Sequence, residues 1–281
     1  MLAAAIIVFR EAIEAGLIIG IVMAVTRNVP GRSQWIVGGV VSGLAGAGLV
    51  AAFAGTLSNA VAGTGTELFN ATVLGLAVCM LAWHNIWMAR HGRKMATQLR
   101  AVGEAVVGGS RSLAALAIVV GIAVLREGSE VVLFLYGIAV SDGSGGLSLL
   151  AGGLLGLMLG GSLSLLTYLG LVQIPPRLIF GVTSALITFL AAGMASQCVS
   201  FLAQAGIVTA LGNTAWNTSW LLSETSIPGK VFHTLFGYSE QPSFMQLIAY
   251  LATLAVIFTA TRIVAPTPRP LPASAKPIAR N

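Results

Sequence analysis

Apolar positions along this chain come in long unbroken blocks, with polar residues gathered between them. Seven runs, at 2–25, 33–57, 67–89, 113–140, 147–172, 178–204 and 244–264, are apolar almost throughout. Each supplies the roughly 20 residues that a helix needs to cross a bilayer. The runs are punctuated by turn-formers at Asn28-Val29-Pro30-Gly31, Ala62-Gly63-Thr64-Gly65, Asp142-Gly143-Ser144-Gly145 and Pro175-Pro176, and by a basic stretch from Arg90. After that stretch, Met95, Leu99, Val102 and Val106 recur at helical spacing among Arg93, Lys94, Arg100 and Glu104. That pattern predicts a short helix lying on the membrane surface. The segment 205–243 is long and carries Trp216, Trp220, Phe232 and Tyr238, residues suited to a membrane interface. The end of the chain, 265–281, holds five prolines and reads as a disordered basic arm.

Composition agrees with the blocks. The chain is 56% hydrophobic and 9% charged, against about 25% charged residues in a soluble domain. Residues 1–264 therefore read as one all-α integral membrane domain. The 34 glycines suit close approach of membrane helices. Cys79 and Cys198 both fall inside apolar runs and do not form a disulfide framework. No cleavable leader is expected, because the first run has no basic start.

Charge sets the orientation. Arg27, Arg32, Arg90, Arg93, Lys94, Arg100, Arg111, Arg177, Arg262, Arg269, Lys276 and Arg280 all fall on one side of a seven-span arrangement, and Lys230 alone on the other. The basic side is cytoplasmic by the positive-inside rule, so the N-terminus is outside and the C-terminus inside. Glu67, Asp142, Glu224 and Glu240 lie outside and Glu104 inside, so the outer face should gather cations. The basic inner face is accounted for by topology and lipid contact, and no nucleic-acid partner is expected.

Six charges break the apolar pattern. Arg10-Glu11-Ala12-Ile13-Glu14 sits mid-run in the first span, and Arg126-Glu127-Gly128-Ser129-Glu130 mid-run in the fourth. A charge at the centre of a spanning helix costs roughly 2.5–3.5 kcal/mol on insertion scales, which marks both motifs as functional. Residues three apart share a helix face, so Glu11 and Glu14 point one way, as do Glu127 and Glu130. Each arginine stands four before a glutamate and can brace it. Four carboxylates against two guanidiniums leave excess negative charge, which calls for a cation. Carboxylate oxygens suit hard or borderline cations.

The motif copies are offset by 116 residues, and Gly38-Gly39, Gly46, Met80 and Gly92 match Gly152-Gly153, Gly160, Met194 and Gly206 at 114. Spans one to three (about 1–92) thus repeat as spans four to six (about 113–206). Three spans is an odd number, so the halves cross in opposite senses. The expected fold is a 3+3 inverted repeat, an outer segment at 205–243 and a seventh helix at 244–264, with a site near the midplane.

Two R-E-x-x-E motifs in the first and fourth of seven spans, with the N-terminus outside, resemble the high-affinity iron permease family. That family includes the fungal oxidase-dependent iron permease and bacterial ferrous-iron-uptake relatives. The resemblance covers roughly 1–264, and Trp216-Asn217-Thr218-Ser219 and Gly237-Tyr238 also look family-like. It implies iron uptake, with Glu11, Glu14, Glu127 and Glu130 essential and Arg10 and Arg126 supporting them. It implies an extracytoplasmic partner that oxidises iron and delivers Fe³⁺: a multicopper oxidase, or a cupredoxin-like protein with a haem peroxidase. No permanently bound cofactor is expected, only the transported ion. Short loops and a compact tail suggest a bacterial inner membrane.

Other residues carry weaker signals. Glu67, at the outer start of the third span, reads as an entry ligand or as a helix-start acid. His84, late in that span, reads as an inner ligand or proton carrier, or as a packing residue. Asp142, Glu224 and Glu240 read as solvated loop acids. Competing functions are a transporter or proton antiporter for Fe²⁺, Mn²⁺ or Pb²⁺, and a membrane metal-dependent oxidoreductase, which would want more histidines near the acids. A retinal photoreceptor fails, because Lys94, Lys230 and Lys276 all lie outside the spans.

Overall fold

The computed structural model describes residues 1–61, 66–142, 145–171 and 176–264. Among these, the chain forms eight helices: α1 (Leu2–Val25), α2 (Arg32–Val61), α3 (Thr66–Val107), α4 (Ala114–Asp142), α5 (Gly146–Tyr168), α6 (Pro176–Gln204), α7 (Ile227–Phe236) and α8 (Phe244–Val264). No strand is formed among the described residues. Among the described residues, five stretches are long and apolar enough to cross a membrane: Arg32–Ala54, Thr66–Arg90, Gly146–Tyr168, Gly181–Gln204 and Phe244–Val264. The other two long helices, α1 and α4, are those interrupted by the motif charges. The molecule is an integral membrane protein. The proline-rich tail from 265 lies outside the described residues.

Two apolar clusters hold the bundle together. The first joins Ala3, Ala4 and Ile7 of α1 to Leu74, Ala77 and Leu81 of α3, Phe134 and Ile138 of α4, Ile187, Ala191 and Met194 of α6, and Ile257 of α8. The second joins Ile18 and Val22 of α1 to Ile36 of α2, Leu99 and Val106 of α3, and Leu116, Val120 and Val124 of α4. α1 and α3 run from the first cluster to the second, and α4 runs the opposite way. Both motifs therefore fall in the layer between the clusters.

Small residues set the main helix contacts. α1 packs most extensively on α5, and α2 on α4. Along α5, Gly152, Gly156 and Gly160 face the backbone carbonyls of Met1, Ala5 and Phe9. A β-carbon at Gly160 would stand 2.6 Å from the Phe9 oxygen, and one at Gly156 would meet the Ala5 oxygen outright. Along α2, a β-carbon at Gly39 would lie 2.6 Å from the Ala117 oxygen, and one at Gly43 would lie 2.7 Å from the Gly121 oxygen. Only helices lacking side chains at these positions can approach so closely. In both seams the residue numbers rise together, so α5 runs parallel to α1 and α2 parallel to α4.

Two local expectations change. Residues 95–106 do not form a separate surface helix; they continue α3, which is 42 residues long. At 1.5 Å per residue that is about 60 Å, twice a bilayer's hydrocarbon core. The apolar stripe finds protein, not lipid: Leu99 and Val106 enter the second cluster, and Gly103 fits against Val25. Glu224 and Glu240 are not simple solvated acids either. Each carboxylate accepts the other's backbone N–H, at 2.9 and 3.0 Å, closing the loop around α7. Tyr238 adds a second clasp, donating to the Leu222 carbonyl at 2.7 Å and pairing with Thr218 Oγ1 at 2.6 Å. Gly237, in the left-handed region (φ 65°), ends α7 and presses its Cα onto Gly193 of α6.

The seam predicts its own test. Gly156→Leu should lose about 1–3 kcal/mol or more through overpacking. Gly161→Leu faces open space and should behave as the parent. Thermal unfolding of the purified protein in detergent reads the difference.

Candidate metal centre

The motif side chains meet a third helix between the two apolar clusters. Glu11, Glu127, Glu130 and His84 each offer one ligand atom, and these four atoms lie within 4.8 Å of one another. Donors around an ion bound at about 2.0–2.2 Å sit roughly 3–4 Å apart, so a small inward turn of the side chains would enclose one. Glu11 is 1% exposed, His84 3% and Glu127 4%. Glu11 and Glu127 turn their buried carboxyl groups on each other, and Oε2 of each receives no N–H or hydroxyl donor. Buried polar atoms without partners are costly, and a cation between them would remove that cost.

The arginines take up the rest. Arg10 lies 3.3 Å from Glu11 and 3.0 Å from Glu14. Arg126 lies 3.1 Å from Glu130 and 4.0 Å from Glu127, and its guanidinium sits 4.2 Å from the Trp87 ring centroid. Glu14 is thus drawn toward Arg10 and stands behind the four-residue cluster. It touches the cluster through His84, whose Nε2 is 3.6 Å away. The other ring nitrogen, Nδ1, contacts Glu130 Oε2. His84 is therefore held between a glutamate of each motif.

α3 is fixed in this rotation by the next residue. Asn85 donates to Thr188 Oγ1 at 2.9 Å and to the Ser184 carbonyl at 3.3 Å, and it accepts from Ser184 Oγ. That clamp ties α3 to α6 and turns His84 toward α1 and α4. A cavity of about 450 Å³ reaches the cluster between α3 and α4, lined by His84, Trp87, Arg126 and Glu130 with Cys79 and Met80. The two motifs differ in cover. Arg10 is 3% exposed, whereas Arg126, at the cavity, is 31% exposed.

The remaining candidates stand apart. Glu67 is in the first turn of α3, beside Thr66 Oγ1. It is 17 residues from His84, or about 25 Å along the helix. Met194 is buried in the first apolar cluster, and Cys198 points its thiol at the Ala71 carbonyl, 3.1 Å away. His84, which the sequence left open between an inner ligand or proton carrier and a packing residue, stands among the motif glutamates. A signal was available: Leu74, Ala77, Leu81 and His84 fall on one helix face, and the first three are buried.

Comparison with known proteins gives the family. The model of the Iron permease FTR1 family matches residues 1–268. The ferrous iron permease EfeU of Yersinia pestis is 30% identical over 254 residues, covering 89% of this chain and 89% of the relative. Proteins of the same name from Escherichia coli strain 536 and from Shigella sonnei are each 31% identical over 254 residues, covering 89% of this chain and 91% of the relative. No solved structure matches the chain. A family model spanning nearly the whole chain, with relatives at this identity, means that the chain is a transporter belonging to the FTR1 iron permease family.

Proposed function

We propose that this permease carries iron into the cell across a bacterial inner membrane, through the cluster formed where α1, α3 and α4 meet. The observation that carries the reading is the convergence of Glu11, Glu127, Glu130 and His84 within 4.8 Å in a buried layer. Glu14 is the fourth motif carboxylate, held in reserve by Arg10. Arg10 and Arg126 keep the empty site together by reducing repulsion among the acids.

The proposed topology has seven spans, with α1 and α4 crossing alongside the five apolar ones. α1, with 24 residues, is about 36 Å long, enough for a 30 Å core. The inverted repeat is supported by the seams. Gly152, Gly156 and Gly160 meet Met1, Ala5 and Phe9; Gly39, Gly43 and Gly46 meet Ala117, Gly121 and Leu125. The α1 and α4 partners differ by 116 throughout, the motif offset. Each repeat lays its second helix parallel to the first helix of the other, as a two-fold axis in the membrane plane requires. With the N-terminus outside, Glu67 faces outward and serves as an entry ligand. Iron arrives there as Fe³⁺ from an oxidising extracytoplasmic partner, a multicopper oxidase or a cupredoxin-like protein with a haem peroxidase. A second reading, direct transport of Fe²⁺, is favoured by the imidazole in the cluster and by the printed name of the relatives, ferrous iron permease.

Radio-iron uptake into proteoliposomes holding the purified protein tests the site, with Fe³⁺ and Fe²⁺ supplied separately. Saturable uptake is expected in the parent. Glu11→Gln and Glu127→Gln should each reduce it at least a hundredfold, with folded protein retained by gel filtration. Normal uptake in either variant removes the cluster from the pathway. Glu67→Gln should raise the iron concentration for half-maximal uptake a few-fold and leave the maximal rate intact; an unchanged value removes Glu67 as an entry ligand.

A further inference from the structure

We propose that His84 is a direct ligand of the transported ion and the residue that sets its selectivity, favouring later transition-metal cations over Mn²⁺ and Ca²⁺. The inference rests on reading the cluster as the transport site, and adds what that site discriminates.

His84 lies inside the cluster. The ring is buried, one nitrogen faces a glutamate of each motif, and its ligand atom lies within 4.8 Å of those of Glu11, Glu127 and Glu130. Among the described residues at the cluster it is the one side-chain nitrogen able to coordinate a metal. Arg10 and Arg126 have donors but no lone pair to give.

Packing of α3 on α6 does not call for a histidine here. The work of fixing α3 on α6 is done by the neighbouring Asn85, through Thr188 and Ser184. At the 114-residue offset His84 corresponds to Cys198. That thiol turns away from the motifs and donates to the Ala71 carbonyl. The third helix of a repeat therefore packs at this position without an imidazole. The motif carboxylates come in matched copies; the imidazole is present once.

Carboxylates alone form a hard site that accepts Mn²⁺ and Ca²⁺ readily. An imidazole strengthens binding in the order Mn²⁺ < Fe²⁺ < Co²⁺, with Zn²⁺ also favoured. When the ion enters, one ring nitrogen turns to it and the other keeps its carboxylate. That is the usual way a ligating histidine is oriented.

The test is iron-edge X-ray absorption on the full-length protein, loaded in detergent with Fe²⁺ anaerobically and, separately, with Fe³⁺. Outer-shell scattering from an imidazole is expected in at least one state. It should disappear in His84→Gln while Glu11 and the other carboxylates still retain iron at reduced affinity, weaker by about tenfold or more. In uptake assays, His84→Asp should make Mn²⁺ a better competitor of iron and Zn²⁺ a poorer one, moving the ratio of their inhibitory concentrations about tenfold. Parental iron without imidazole scattering overturns the proposal. So does scattering that persists in His84→Gln, which would come from His91 or His233, or an unchanged competition ratio in His84→Asp. Loss of iron binding in Glu11→Gln and Glu127→Gln checks the site itself. If the parent binds no iron, or these variants bind it normally, the transport-site reading fails, and this inference with it. The parent's spectrum needs no variant to fold.

Discussion

The structure depends on keeping six charged side chains in the middle of an apolar bundle. Each would cost several kcal/mol if left facing lipid. The chain contains that cost by layering: one apolar cluster on each side of the motifs, and the charges paired with one another between them. Pairing is incomplete. Glu11 and Glu127 turn buried carboxyls on each other, and four acids outnumber two arginines. A merely structural ion-pair network would gain by satisfying or deleting those groups. Retaining them makes sense where a passing cation completes the set.

The layer can form because the backbones come unusually close. α1 and α4 each lie against a glycine-bearing neighbour, α5 and α2, with carbonyls facing bare α-carbons. That economy of side chains at the seams lets two charged helices sit centrally and leaves α3 to reach both. α3 then supplies the element that joins the motifs. Its Asn85 fixes the helix on α6, and its His84 lies between Glu14 and Glu130.

Much of this was legible in the sequence. Apolar runs gave the long helices, and the three- and four-residue spacings of the motifs fixed which carboxylates share a face and which arginine can reach them. Those are local rules of helix geometry. What escaped were contacts between segments far apart in the chain. Met95–Val106 looked like a surface helix because amphipathicity does not say whether lipid or protein covers the apolar side. Glu224 and Glu240 looked solvated because a carboxylate clasp on a distant backbone N–H leaves no mark in composition. His84 was undecided because one imidazole in an apolar run packs or ligates according to what faces it, and that is set by α1 and α4. The stripe of Leu74, Ala77 and Leu81 pointed it inward but could not name its neighbours.

The two motifs have the same chemistry and different surroundings, and the difference has a physical use. Arg10 and its glutamates are sealed, whereas Arg126 looks onto the cavity between α3 and α4, with Trp87 against its guanidinium. In the inverted repeat proposed here, identical surroundings for both halves would leave the site open to both sides or to neither. One half is sealed, and the other borders a cavity whose wall includes Leu76, Cys79 and Trp83 on the exposed face of α3. In the proposed repeat the motifs supply like ligands, while α3 and α6, which correspond, differ beside them: α3 brings His84 to the cluster. His84 and Cys198, unlike residues at corresponding places on those two helices, are where the inequality is written into the sequence.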